Sequence, residues 1–318
     1  MSYLILQRGI APSHSIDDYP DGIVVVVDKP YRWTSADVIR KVKWMAVKHF
    51  GKRNLKVGHA GTLDPLATGV LLACIGKATK LAEEFQKAPK QYHAGVTFGA
   101  TTASYDLEKE VDTRCPLDGV SEESLRGVLP GFVGEQDQVA PLFSAKSVDG
   151  VRVYEIARKR YKAGLPVEDG DLLKASRINI YDLQLIAYSP GREGYPSERR
   201  ATLGIVRGGD PSQMGGMSGK AANRIGGIAL PAAEGAQGPA TPQRQGASSR
   251  INVAEVPEGL PQAEILVDCS KGTYIRALAR DLGEALGSGA FLHSLRRTRN
   301  GGFTIDDALS IDDIAAIL

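Results

Sequence analysis

Three cysteines in 318 residues, Cys74, Cys115 and Cys269, are too few and too scattered for a disulfide framework, and no C-x-x-C pair points to zinc. Five histidines, without H-E-x-x-H or any paired ligand spacing, offer no metal site. Long apolar runs are missing too. The N-terminal MSYLILQRGIAPSHSIDD has a short apolar patch with neither a basic leader nor a small-residue cleavage pattern, so neither a signal peptide nor a membrane span is expected. An excess of one charge is also absent. With 39 basic and 37 acidic residues the net charge is +2, so any surface for a polyanion has to come from local clustering. No G-x-x-x-x-G-K-[ST] lies near Gly58 or Gly69, which argues against a nucleoside-triphosphate loop.

What is present describes a soluble globular protein: 42% of residues are apolar and 24% charged, in a chain long enough to bury a sizeable core. Free thiols make a reducing cytoplasm the default location.

The β-branched run GIVVVVD, 22 to 28, predicts a buried strand that ends at Lys29-Pro30. Thr34 and Ser35 then cap a helix to about Phe50, with Val38, Val42, Met45 and Ala46 at helical spacing and Arg40, Lys41, Lys43 and Lys48 on its wet side. Residues 69 to 75 read as a strand and 78 to 87 as a helix. The run 91 to 98 alternates, with Tyr92, Ala94, Val96 and Phe98 on one face. Ser121 opens another helix, strands are expected around 172 to 188 and 262 to 269, and a helix from Thr273 to about Leu286. Strands and helices mix without βαβ repetition. The expected class is therefore α+β, on a large mixed, mainly antiparallel sheet flanked by helices and loops.

Between 189 and 259 the texture changes to Gly, Ala, Ser, Pro and Gln with almost no large apolar residues. Such a stretch cannot bury enough surface to offset its ordering entropy. It is expected to be a low-complexity, disordered insertion that interrupts one domain spanning 22 to 310, preceded by an N-terminal extension over 1 to 21.

One segment carries chemistry. GHAGTLDPLATGVL, 58 to 71, places a single carboxylate, Asp64, in a glycine-punctuated polar loop that runs into an apolar strand. Asp-Pro is a common way to open a turn, but His59, Thr62, Thr68 and three glycines surround this one. The segment resembles the catalytic loop of the TruB family of tRNA pseudouridine synthases, with Asp64 where that family has its catalytic aspartate. Five further stretches resemble the same family: DKPYRWTS from 28, QYHAGVTFGATTASYD from 91, QVAPLFSAKSVDGVRVYEIAR from 138, DCSKGTYIRALARDLG from 268 and LHSLRRTRNGGF from 292.

The resemblance implies isomerisation of a uridine in the tRNA T-loop, at the nucleotide known as position 55, by a stand-alone, monomeric, metal-free and cofactor-free enzyme. Asp64 would act at the sugar, as a nucleophile toward C1′ or as a base at the 2′ position. Arg276 would keep Asp64 ionised, since a nearby guanidinium favours the charged carboxylate, while Arg280 one turn later reads as a surface residue. Tyr92 would stack on the target base and assist at its C5 proton; Tyr274, Ile275 and Leu295 would line the pocket. The residues alone leave His59 as a turn residue, a base or an RNA contact; the resemblance assigns it to the space left in the RNA loop when the nucleotide flips out. Lys29 and Pro30 would brace the catalytic loop, and Asp106 is open between loop hydrogen bonding and RNA contact. Lys146, Arg152, Arg158, Lys271, Arg296, Arg297 and Arg299 are candidates for a phosphate track.

Two departures stand out. Ala140-Pro141 replaces the paired prolines of many relatives, and Phe143 their frequent tyrosine. The chain also stops after GGFTIDDALSIDDIAAIL, where a small PUA-like C-terminal RNA-binding domain would be expected and is read as absent. Arg199, Arg200, Arg207, Lys220 and Arg224 of the insertion are candidates to make up the affinity. The rival reading is an RNA-folding chaperone of the tRNA elbow, which would have no need of Asp64.

Overall fold

A computed structural model describes residues 3–141, 143, 147–148, 151–152, 175–191, 251 and 253–318. The β-branched run forms the strand Ile23–Lys29, and all five apolar residues of it are fully buried. Both of its faces are covered. Ile23, Val25 and Val27 join the main core, whereas Val24 and Val26 pack toward Phe85 and Phe303 on the opposite side. This is why the run is continuous and not alternating.

The Ile23–Lys29 strand lies in a ten-stranded mixed sheet. The spatial order of its main path is Leu4–Ile5, Ile23–Lys29, Thr68–Ile75, Ala290–Asn300, Lys90–Phe98, Gln262–Cys269, Ser176–Ser189 and Gly134–Gln138. Pairing is antiparallel except at Leu4–Ile5 on Ile23–Lys29 and at Ala290–Asn300 on Thr68–Ile75, which are parallel. The expected alternation on Lys90–Phe98 is realised, with Tyr92, Ala94, Val96 and Phe98 all buried.

Helix Ser35–Phe50 begins at Thr34, whose hydroxyl accepts from the Asp37 amide while the Asp37 carboxylate accepts from the Thr34 amide. Such a cap contributes about 1 kcal/mol. Gly51 ends the helix in the left-handed region at φ 64°. Helix Ile275–Ala285 lies on the same side of the sheet and buries Leu278 and Leu282.

Three boundaries differ from the sequence reading. The segment 78 to 87 is a 3-10 stretch, Gly76–Leu81, followed by a short α-helix, Ala82–Lys87. The residues expected to extend ahead of the domain belong to it: Leu4–Ile5 adds a strand to the sheet and Leu6 is fully buried. A two-residue strand has no periodicity to show in sequence. At the other end helix Ile311–Ile317 sinks Ile314 into the core, so the fold runs past 310.

The strands on either side of the predicted insertion, Ser176–Ser189 and Gln262–Cys269, are paired antiparallel neighbours with Ser189 opposite Gln262. Its last residues are part of the fold, since the Ala254 amide donates to Leu107 O and Ala254 packs with Leu260 and Phe291. Residues 192–250, including Arg199, Arg200, Arg207, Lys220 and Arg224, lie outside the described residues, as do Lys146, Arg158 and the Arg152 side chain.

Candidate active site

Asp64 sits in the loop that leaves strand Val57–Ala60 and returns as Thr68–Ile75, two strands paired with His59 opposite Ala73. The loop is tied down on both sides of the carboxylate. Ahead of it, Ser35 Oγ accepts from the Leu63 amide at 2.9 Å and donates to Leu63 O at 3.1 Å. Behind it, the Ala67 amide closes a turn on Asp64 O, and Lys29 Nζ donates to Pro65 O, each at 3.1 Å. Lys29 also donates to the carbonyls of Pro30 and Trp33, across a turn in which Arg32 takes φ 64°. Burial pushes the Lys29 ammonium down to about 7, against the opposing pull of Asp64 and Asp37. Fully buried and absent from the lining of the cavity beside Asp64, Lys29 braces the loop from behind.

Across from the loop, Arg276 rises from the first turn of helix Ile275–Ala285. Its Nε donates to Asp64 Oδ2 at 2.9 Å, Nη1 to Ser104 O at 3.0 Å and Nη2 to Phe143 O at 2.8 Å. Asp106 Oδ2 stands 3.7 Å from the same Nε. The guanidinium is 5% exposed but Asp64 39%, so one carboxylate oxygen is committed to the arginine while the group still opens to solvent. Desolvation works against the Arg276 charge, and Asp64 and Asp106 outweigh it, so its pKa is raised. Tyr105, at φ 55°, bends the backbone between Ser104 and Asp106 in a conformation that costs about 1–3 kcal/mol. That bend carries the Ser104 carbonyl and the Asp106 carboxylate that Arg276 uses.

Asp106 is not at the surface. It accepts from Ser104 Oγ at 2.6 Å and from the Glu108 amide at 2.9 Å, and burial pushes its carboxyl up while Arg276 pulls it down. Of the two readings, the structure shows the loop hydrogen bonding, and Asp106 also lines a small cavity beside Asp64, Arg276 and Leu295. Arg280, read as a surface residue, is half-buried: it donates to Val139 O and pairs with Asp281.

Asp64, Tyr92, Tyr274, Ile275, Arg276 and Leu295 line one cavity of about 570 Å³. Its helix-side wall is set by Gln138, which accepts from the Tyr274 amide at 2.8 Å and donates to Tyr274 O. Tyr92 comes up from the strand beneath and faces Arg297 across the strand pair. Burial raises the phenol's pKa, and the Arg297 charge and hydrogen bond oppose this, so the neutral phenol is the resting form.

Arg297, a sequence candidate for the phosphate track, does not lie on an exposed track: its side chain is among the largest fully buried ones. Nε donates to Val70 O at 2.7 Å and Nη2 to Gly61 O at 3.4 Å, which ties the cavity floor to both ends of the Asp64 loop. Of the other candidates, Arg296 pairs with Asp28 and Arg299 with Asp268, while Lys271 is exposed at the cavity rim. His59 lies on the strand leading to the loop, outside the cavity lining; burial and Arg297 lower its pKa, and its Nδ1 has no hydrogen-bond partner. Ser35, Gln138 and Arg297 are the positioning residues that sequence reasoning missed. Of these, only Ser35 left a sign, as the second hydroxyl of a capping pair.

Among the described residues no three His, Cys, Asp or Glu side chains are placed to hold a metal, and no helix is long and apolar enough to cross a membrane.

Comparison with known proteins is consistent along the chain. Residues 48–195 match the model of the TruB family pseudouridylate synthase N-terminal domain, and residues 276–318 that of the tRNA pseudouridylate synthase B C-terminal domain. The chain is 37% identical over 295 residues to tRNA pseudouridine synthase B of Phocaeicola vulgatus, covering 93% of this chain and 92% of that one. It is 34% identical over 291 residues to the protein of the same name from Deinococcus radiodurans, covering 92% and 78%. Among solved structures, a chain in the crystal structure of a Cbf5-Nop10-Gar1 complex shares the fold, with a TM-score of 0.52 at 20% identity over 98% of this chain and 62% of that one. The half-exposed carboxylate, its buried arginine and the cavity beside them thus stand in a chain that belongs to the TruB family of pseudouridylate synthases.

Proposed function

We propose that this chain converts a uridine in the T-loop of tRNA into pseudouridine, with Asp64 acting at the sugar. The observation that carries the reading is the pairing of a solvent-open carboxylate with a buried guanidinium at the wall of a cavity lined by Tyr92, Tyr274 and Leu295. The N1–C1′ bond breaks, the uracil turns, C5 bonds to C1′, and the C5 proton leaves as N1 gains one. The atoms balance as an isomerisation, so neither an oxidant nor a cofactor is needed.

Arg276 holds Asp64 in one orientation and leaves the carboxylate open to the cavity, where either role at the sugar needs it. Tyr92 offers a flat neutral face for stacking, with Leu295 and Ile275 as apolar walls that exclude water from the loosened base. A stacked uridine cannot reach this cavity, so the nucleotide must flip out, and His59 is assigned to the RNA beside it. Lys271 at the rim faces the phosphates.

The test is tRNA tritiated at uridine C5, incubated with the protein. Release of tritium to water, with pseudouridine in the T-loop, is the expected result. Refolding of tRNA without release would instead mark a binding module.

A further inference from the structure

The outer face of helix Ser35–Phe50 has no part in the site. It carries Trp44, 59% exposed, at the centre of a basic patch. Lys41 Nζ lies 5.2 Å and Lys48 Nζ 5.6 Å from the centre of the indole ring, and Lys43 and Arg40 are exposed beside them. The helix has one acidic residue, Asp37, which is buried and pairs with Arg40. Among the described residues no acidic side chain pairs with Lys41, Lys43 or Lys48. In a chain whose net charge is only +2, this is a concentrated positive surface.

We infer that this face is a second RNA contact, where the indole stacks on an unpaired base and Lys41, Lys43 and Lys48 take the flanking phosphates. An exposed indole flanked by ammonium groups that pair with no acidic side chain among the described residues has the two parts that single-stranded nucleic acid binds: a sequence-tolerant stacking platform and a cationic track. At about 1.5 Å per residue, Trp44 lies roughly 14 Å along the helix from Ser35, which clamps the Asp64 loop. The contact is thus with a part of the RNA other than the flipped uridine. The inference rests on the functional reading above for the identity of the RNA.

Two measurements on the full chain test it. With labelled tRNA, Trp44→Ala weakens binding about tenfold. The double variant Lys41→Gln/Lys48→Gln flattens the dependence of log affinity on log salt by about 0.7 per lysine. In both, KM rises while turnover at saturating tRNA is unchanged. In a Trp33→Phe background Trp44 is the sole tryptophan of the chain's two, and its emission is quenched by tRNA. Wild-type affinity and salt slope in the variants, or bound tRNA without quenching, overturns the inference while leaving tritium release intact. Stronger binding of this face to anionic vesicles than to RNA also overturns it. Failure to bind tRNA at all sinks the functional reading, and this inference with it.

Discussion

Arg276 Nε donates to Asp64 Oδ2 at 2.9 Å although 212 positions of sequence separate the two residues. The same guanidinium is anchored from behind by the carbonyls of Ser104 and Phe143, so the bond to Asp64 has a fixed direction. A lysine would keep the charge and lose that fork. Arg276→Lys is expected to lower kcat by about a hundredfold, the scale on which a preorganised charge acts, with tRNA affinity changed only a few-fold. Single-turnover kinetics and a binding isotherm separate the two effects; activity within tenfold of wild type would show that the fork is dispensable.

The hydroxyl of Ser35 satisfies both the amide and the carbonyl of Leu63, next to the carboxylate. Ser35→Ala leaves both groups buried without that partner, at a cost of about 1–3 kcal/mol, and frees the loop. Denaturant unfolding should show the loss, and kcat should fall with it. An unchanged unfolding midpoint would contradict the clamp.

Lys29 adds a pH signature. Its folded value of about 7 lies below the unfolded 10.5, so between those limits the unfolded chain binds more protons and stability rises with pH. Below pH 7 the burial cost of the charge is fully present. Replacing Lys29 by Met should remove this contribution, on the order of a few kcal/mol across the window, from unfolding free energies measured as a pH series. Equal slopes in wild type and variant would rule it out.

Close approach of two strands gives a backbone prediction. Gly69 has φ 96°, and a Cβ there would run into the Arg297 carbonyl oxygen. Gly69→Ala should cost at least about 2 kcal/mol and loosen the Arg297 anchor at Val70. Gly58→Ala, whose Cβ would meet only Thr79 Cγ2 at 3.9 Å, is the control and should be tolerated far better in thermal unfolding.

Much of this is legible in the sequence. The Thr34 cap, the Val38–Val42–Met45 stripe and the alternation on Lys90–Phe98 follow from local rules, and local rules act within a few residues. The cavity walls Asp64, Tyr92, Tyr274, Arg276 and Leu295 were named from a resemblance, and only the fold brings them together. Arg297 was misplaced because an arginine in the run LRRTRN looks solvent-facing, and nothing nearby in sequence reveals the Val70 and Gly61 carbonyls waiting for it. For Asp106 the sequence leaves loop hydrogen bonding and RNA contact open, and only the turn at Tyr105 reveals that it is set against Arg276. The N-terminal strand was invisible because its partner, Ile23–Val24, supplies the context that two residues cannot.

The central claim is that Asp64 does chemistry and is not merely one end of an ion pair. The most direct measurement compares tritium release from C5-labelled tRNA by wild type and Asp64→Asn, with tRNA binding followed in parallel. Asparagine preserves the shape and an acceptor for Arg276, so the account predicts retained tRNA binding and no release above background. Release by the variant at a rate near wild type would contradict it.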